Sequence, residues 1–302
     1  MSTTTAPVGG GDLPPARSAR SEAMRLALYR FRSSWLSIIG LALVVFLLFL
    51  ALFGGAIAPY PEHIAGAVDT PARFLPPSWK HWFGTNELGQ DVLSLVMGGA
   101  RVSVLAGIAV VLLGAAVGTV FGAVAGYAGG WTDELLMRLA DLKITIPGLI
   151  LAMAVAAALG AGIVNMVIAI ALSWWPGYAR LVRGEVIARK QEMFVTAARA
   201  IGAGPGRIVF RHILPNVMTP VIIKMSLDMG FAILTVASLG FVGIGVKPPT
   251  PEWGMQLSIA RGYMPDQWWT AICPGAAIFI AVFGFNLLGD GLRDVFDPRS
   301  RR

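Results

Sequence analysis

The chain has 302 residues, 56% of them apolar and only 14% charged, with a formal net charge of +7 and one cysteine. Charge-free runs longer than a globular core helix needs exclude an ordinary soluble domain, and the lone Cys273 excludes a disulfide framework or a thiolate metal site within the chain. His63, His81 and His212 are far apart in sequence and lack ligand spacing, so they read as surface or interface histidines, with no metal site and no His-based catalysis.

Residues 1–33 form an N-terminal tail whose first 20 residues, rich in Gly, Pro and Thr, read as disordered. Residues 34–58 (SWLSIIGLALVVFLLFLALFGGAIA) carry no charge and exceed the roughly 20 residues a spanning helix needs, which makes them the first crossing. A secretory signal is the rival reading, because five arginines precede the run and Ala56-Ile57-Ala58 has the form of a cleavage site. The run is much longer than an h-region of about 7 to 15 residues, and Pro59 follows the site directly, so the span is expected to stay uncleaved.

An outer segment, 59–101, follows. Within it, 87–99 places Leu88, Val92, Leu95 and Val96 on one stripe, which predicts an amphipathic helix lying at the outer surface, either a ledge or a connector. Residues 102–127 are the second span. The charge-free stretch 144–179 is too long for one helix, and Gly160-Ala161-Gly162 marks a hairpin that divides it into spans three (144–159) and four (163–179). A polar loop (180–216), span five (217–243), an outer loop (244–270), span six (271–289) and a tail (290–302) complete the chain.

The expected fold class is therefore an all-α integral membrane protein with six transmembrane helices. With the N-terminus inside, the inner segments carry 18 Lys and Arg and the outer segments 5, which places both termini and the 180–216 loop in the cytoplasm. Charge thus follows membrane sidedness and gives no sign of a nucleic-acid surface. Trp79, Trp82, Trp253, Trp268 and Trp269 are then expected at the outer interface, and Trp131, Trp174 and Trp175 near the inner one.

Three sets of residues stand out. Gly114, Gly118, Gly122 and Gly126 recur at spacing four, stack on one helix face, and predict close packing against a neighbouring helix. Lys224 and Asp228, also four apart, share a face of span five, where ionisable groups are costly; they read either as an internal ion pair or as a polar patch on a translocation path. In 192–216, Phe194, Ala197, Ala198 and Ile201 make a narrow apolar stripe of mostly small side chains that is suited to docking. Gly202-Ala203-Gly204-Pro205-Gly206 ends that helix, and Arg207 to Leu214 predict a second short helix closing at Pro215, so the segment reads as a helix-turn-helix elbow. No G-x-x-x-x-G-K-[ST] run is present, so ATP is expected to be used by partner chains, with no cofactor bound here.

The order Ala197-Ala198, three residues, Gly202, then twelve residues to Pro215 resembles the "EAA" loop of ABC-importer permeases, and AARAIGAGPGRIVFRHILPN is similar to that of the dipeptide and oligopeptide permeases. FGTNELGQDVLSLVMGGARVSVLAG (83–107), VGIGVKPPTPEWG (242–254) and FNLLGDGLRDVFDPR (285–299) resemble the C-type subunit of the peptide and nickel permease group. The resemblance, spread over roughly 25–299, implies a type I ABC importer permease fold in a bacterial cytoplasmic (inner) membrane. It implies as partners a homologous second permease subunit, two ATP-binding cassette subunits that use ATP and Mg, and an extracytoplasmic solute-binding protein.

It further implies that Glu192, Phe194, Thr196, Ala197, Ala198, Ile201, Gly202 and Pro215 couple to the ATPases. Thr196 stands where the family usually has Glu, and Glu192, one turn earlier, is positioned to substitute; His212 replaces the usual Ile. Asn86, Gln90 and Leu95 replace the more usual Asp, Arg and Arg. Import of dipeptides or oligopeptides is the expected activity, with nickel or another small solute as the alternative within the family. An ion-coupled secondary transporter using Lys224 and Asp228 is the alternative outside it. No G-x-S-x-G run or paired carboxylates point to an intramembrane hydrolase.

Overall fold

The computed structural model describes residue 29 and residues 31–296; most of the two expected tails therefore lies outside the described residues. These are mostly helical, and the only strand-like pairing among them is a single bridge between Thr85 and Asp91. Helix α1 (Trp35–Ile57) starts at Ser34, whose hydroxyl accepts from the Ser37 amide at 3.3 Å. It buries Val44, Leu47 and Ala51 along one stripe and leaves Leu41, Val45, Phe46 and Leu52 exposed, the division expected of a helix with protein on one side and lipid on the other.

A short helix α2 (Pro61–Ile64) and a 3-10 turn (Thr70–Ala72) lead to α3 (Val92–Ala128). At 37 residues α3 is about 55 Å long, well beyond the roughly 30 Å hydrocarbon core. Its start corrects one expectation: 87–99 does not form a separate amphipathic helix. Residues 87–91 are a loop capped by Asp91, and Val92 onwards belongs to α3. Val92 and Val96 face Trp269 and Phe83 inside the protein, so the apolar stripe has a tertiary partner and does not need a membrane surface.

Helices α4 (Gly130–Thr145) and α5 (Gly148–Leu159) meet at a 91° bend. Pro147 causes it: the residue before a proline is driven out of the helical region, and Ile146 sits at φ −88°, ψ 123°. The expected third span, 144–159, is thus split, and the 12 residues of α5, about 18 Å, are too few to cross alone. Helix α6 (Ile163–Arg189) runs well past the expected end at 179. Two ion pairs tie α4 to this extension: Arg180 to Asp141 at 2.5 Å and Arg183 to Asp133 at 2.5 and 2.7 Å.

After α7 (Met193–Ala200), a short helix at Pro205–Arg207 and a π-helical stretch at Ile208–Ile213 run without a break into α8 (Leu214–Val242). The expected closure of a second elbow helix at Pro215 is corrected here. The wider π turn accommodates a residue that has no amide hydrogen to donate, and the chain continues into the span. Helices α9 (Trp253–Ala260) and α10 (Trp269–Phe296) complete the bundle. By length and composition four helices among the described residues can cross a membrane, or up to five if the bent α4–α5 pair counts as one span.

Trp253 and Trp269 are buried and do not form part of an interfacial belt. Their indole N–H groups donate to the Val96 and Thr85 carbonyls at 2.8 and 3.1 Å, pinning residues 253–269 to α3 and its approach. Beside Trp253, the fully buried Glu252 carboxylate caps α9, accepting from the Gly254 and Met255 amides at 2.8 and 2.7 Å and from the Ser103 hydroxyl at 3.2 Å. Burial holds its pKa above the usual carboxylate range, although the same hydrogen bonds pull it back. Glu252→Ala removes the cap and strands three donors, at a cost of about 2–4 kcal/mol. The expected result is a clear drop in the detergent-solubilised melting temperature, with a smaller drop for Glu252→Gln, which keeps one accepting oxygen.

Candidate functional site

Helix α7 is pressed against the end of α6 and the start of α8. Val195 and Ala198 are buried in a cluster with Tyr178, Val182, Val186, Ile208, Ile213 and Val217. This divides the stripe read from the sequence. Ala198 faces the chain's own core, whereas Phe194, Ala197 and Ile201 point outward with Met193, and both Met193 (87%) and Ile201 (85%) are almost fully exposed. The Val195–Ala198 spacing of three was the available signal for the inner face; the small-residue pair at 197–198 concealed it.

Gly202 ends α7 at φ +80°, where a side chain is strained. Its amide donates to the Arg199 carbonyl at 2.9 Å and the Ala203 amide to the Ala198 carbonyl at 3.0 Å, the paired bonds of a Schellman cap. Glu192 lies 3.6 Å from Arg189, and Thr196 is exposed. The Arg199 guanidinium and Lys190 ammonium lie 6.0 and 5.4 Å from the Tyr127 ring at the end of α3, so the elbow is tied to three long helices.

The Gly ladder of α3 lies against α6. A Cβ at Gly118 would collide with the Trp175 carbonyl and lie 2.5 Å from Tyr178 Cβ; at Gly122 it would collide with the Ala179 carbonyl and lie 2.9 Å from Val182 Cβ. Gly114 and Gly126 meet Trp174 and Arg183 in the same register, at 3.2 and 2.9 Å.

Lys224 and Asp228 pair at 3.0 Å on α8 and both line two cavities, of about 590 and 350 Å3. The larger also reaches Glu185, Arg189 and Arg293, while the smaller is walled by Trp174, Phe231 and Thr235. Tyr178, which sequence reading passed over, sits beneath the pair: the Lys224 ammonium is 5.1 Å from its ring centre, and among the described residues its buried hydroxyl makes no hydrogen bond of good geometry, with the Asp228 carboxylate as its nearest charged acceptor.

The reading of His63 and His81 as unconnected surface or interface histidines is corrected. Both are buried and meet at Asp91, whose carboxylate bonds His81 Nδ1 at 3.0 Å and whose amide donates to His63 Nδ1 at 2.9 Å. Long-range folding of 60–91 brings them together, which spacing alone does not reveal. Asn86 and Gln90, two of the departures noted above, bond each other side chain to side chain at 3.0 Å. Among the described residues no group of three His, Cys, Asp or Glu is arranged to hold a metal.

Residues 118–302 match the family described as binding-protein-dependent transport system inner membrane component, and residues 23–77 match the N-terminal TM domain of oligopeptide transport permease C. The chain is 41% identical over 286 residues to the probable D,D-dipeptide transport system permease protein DdpC of Escherichia coli K12, covering 95% of each chain. It is 44% identical over 272 residues to the glutathione transport system permease protein GsiD of Escherichia coli O6:K15:H31, covering 90% of this chain and 89% of that one. Matched by these families and relatives over most of its length, this chain of long apolar helices belongs to the inner membrane components of binding-protein-dependent ABC importers of the peptide group.

Proposed function

We propose that this chain forms half of the translocation pathway of an ATP-driven importer of dipeptides or short oligopeptides, and that 192–216 transmits force from cytoplasmic ATPases. The observation that carries this is the two-faced elbow. Its inner face is locked to α6 and α8 through Val195 and Ala198, while Met193, Phe194 and Ile201 are left exposed. A group of exposed apolar side chains on a rigid, basic segment is a partner surface. No P-loop occurs in the chain, so the nucleotide is held by that partner.

The assembly contains a homologous second permease, two ATP-binding cassette subunits and an extracytoplasmic binding protein. The Lys224–Asp228 pair, facing two cavities on α8, supports a place on the path. Peptide as the solute is supported by the two relatives, named as permeases for D,D-dipeptide and for glutathione transport.

The path crosses the membrane six times, with α4–α5 as a broken third span and α6 as the fourth, and both termini are cytoplasmic. Cysteines at Ser78 and Thr250, in a Cys273→Ala background, should react with an impermeant thiol reagent added outside spheroplasts, whereas one at Gly206 should react only after permeabilisation. Outside labelling at Gly206 would reverse the elbow's side and remove it from any cytoplasmic ATPase.

A further inference from the structure

A separate cavity of about 340 Å3 lies at the outer end of the molecule, between the Asn86–Gln90 loop and the loop carrying Pro248 and Pro249. Most of its polar groups are already committed. Gln90 accepts from Asn86 and donates to the Ala67 carbonyl at 2.8 Å, Asn86 Oδ1 accepts from the Leu88 and Gln90 amides, and the Gln256 amide donates to the Leu95 carbonyl at 2.9 Å. Among the described residues, the Gln256 side-chain oxygen and the Glu87 carboxylate accept from no other residue.

Among the described residues Glu87 is the only charged one lining the cavity, and it has no ion-pair partner there. The nearby Arg73 is exposed and turns its guanidinium over the Phe74 ring at 5.0 Å. Burial pushes the Glu87 carboxyl above its usual range, against the pull of its own backbone amide and of Arg73. An arriving cation offsets that desolvation by its attraction for the carboxylate. The remaining walls, including Val92, Leu95 and the two prolines, are apolar, and the volume lies within the range of small-molecule sites, with room for a whole small solute and not only one inserted side chain.

We propose that this cavity is an outer receiving site for the ammonium end of a small peptide, with Glu87 as the counter-charge and the Pro248–Pro249 wall against the peptide's side chains. The proposal rests on the peptide reading above and adds a place where the solute is first held by the permease itself. Neutral neighbours fit this role: the Asn86–Gln90 pair keeps the loop closed without adding a charge that would compete for Glu87.

The test uses the complete transporter in vesicles, with Ile259→Cys on the cavity wall in a Cys273→Ala background and an impermeant thiol reagent outside. Dialanine at ten times its dissociation constant should slow labelling about tenfold. Glu87→Gln should raise the dialanine concentration that gives half-protection about tenfold, the scale of one charge-assisted hydrogen bond, while labelling without peptide stays unchanged. Equal protection in the Glu87→Gln transporter would overturn the proposal. So would full protection by the binding protein without peptide, which would make the cavity a protein-docking socket. Uptake of dialanine by the same vesicles is measured in parallel: its absence in the otherwise unaltered transporter would instead overturn the peptide reading.

Discussion

Leucine at Gly118 or Gly122 is expected to abolish transport and sharply lower the amount of assembled protein. At both positions the α3 and α6 backbones are so close that even a Cβ would collide with a carbonyl oxygen of α6. Backbone cannot rotate away as a side-chain tip can, so the helices must separate. Overpacking in well-packed interiors costs about 1–3 kcal/mol, and a branched side chain against backbone belongs at or above the top of that range. Separation would also pull apart the buried contacts of Tyr178 and Val182 that seat the elbow. Gly184→Ala is the matched control: it lies on α6, yet a Cβ there meets nothing within 4 Å, and the variant should assemble and transport normally. Membrane abundance and uptake in the three variants decide the matter, and normal behaviour of both leucine variants would mean that α3 and α6 do not pack through this face.

The second large effect is expected at the elbow. Phe194→Glu combined with Ile201→Glu places two charges where a partner is expected to bury apolar surface. Neither residue belongs to the chain's own core, and Ile201 is 85% exposed, so folding and membrane abundance should stay near normal. Stranding a charge in an apolar interface is costly, and loss of an interface hot spot commonly costs about 2–4 kcal/mol, so ATPase retention should fall about a hundredfold. Ala198→Trp gives a different result. That side chain faces Val195 and Ile208, so tryptophan should disturb the elbow's own seating and reduce abundance as well as coupling.

Much of the architecture was legible from elementary patterns. Long charge-free runs located α1, α3, α8 and α10, because a bilayer demands about 20 apolar residues and little else in the chain provides them. The glycine spacing pointed to a close helix pair, and the Gly202 region to a helix end. What the sequence did not disclose depends on tertiary partners. Absence of charge in 144–159 hid the turn at Pro147, because hydropathy counts composition while a proline acts on backbone geometry. The outward stripe of 194–201 concealed the inward pair Val195 and Ala198, since small residues are compatible with either face. His63 and His81 meet Asp91 only after 60–91 folds over the start of α3. Tyr178 beneath Lys224 has no local pattern at all, as the contact joins α6 to α8.

The central claim, that this chain receives force at residues 192–216 from an ATPase it does not contain, is tested most directly by solute-stimulated ATP hydrolysis and uptake on the same proteoliposomes. These carry the full transporter with either unaltered elbows or the Phe194→Glu/Ile201→Glu pair. The account predicts that both activities fall together in the variant, to about a hundredth of the unaltered level, while the amount of reconstituted permease is equal. Unchanged uptake and unchanged stimulated hydrolysis at equal permease would contradict it and reduce the elbow to a connector between two membrane helices.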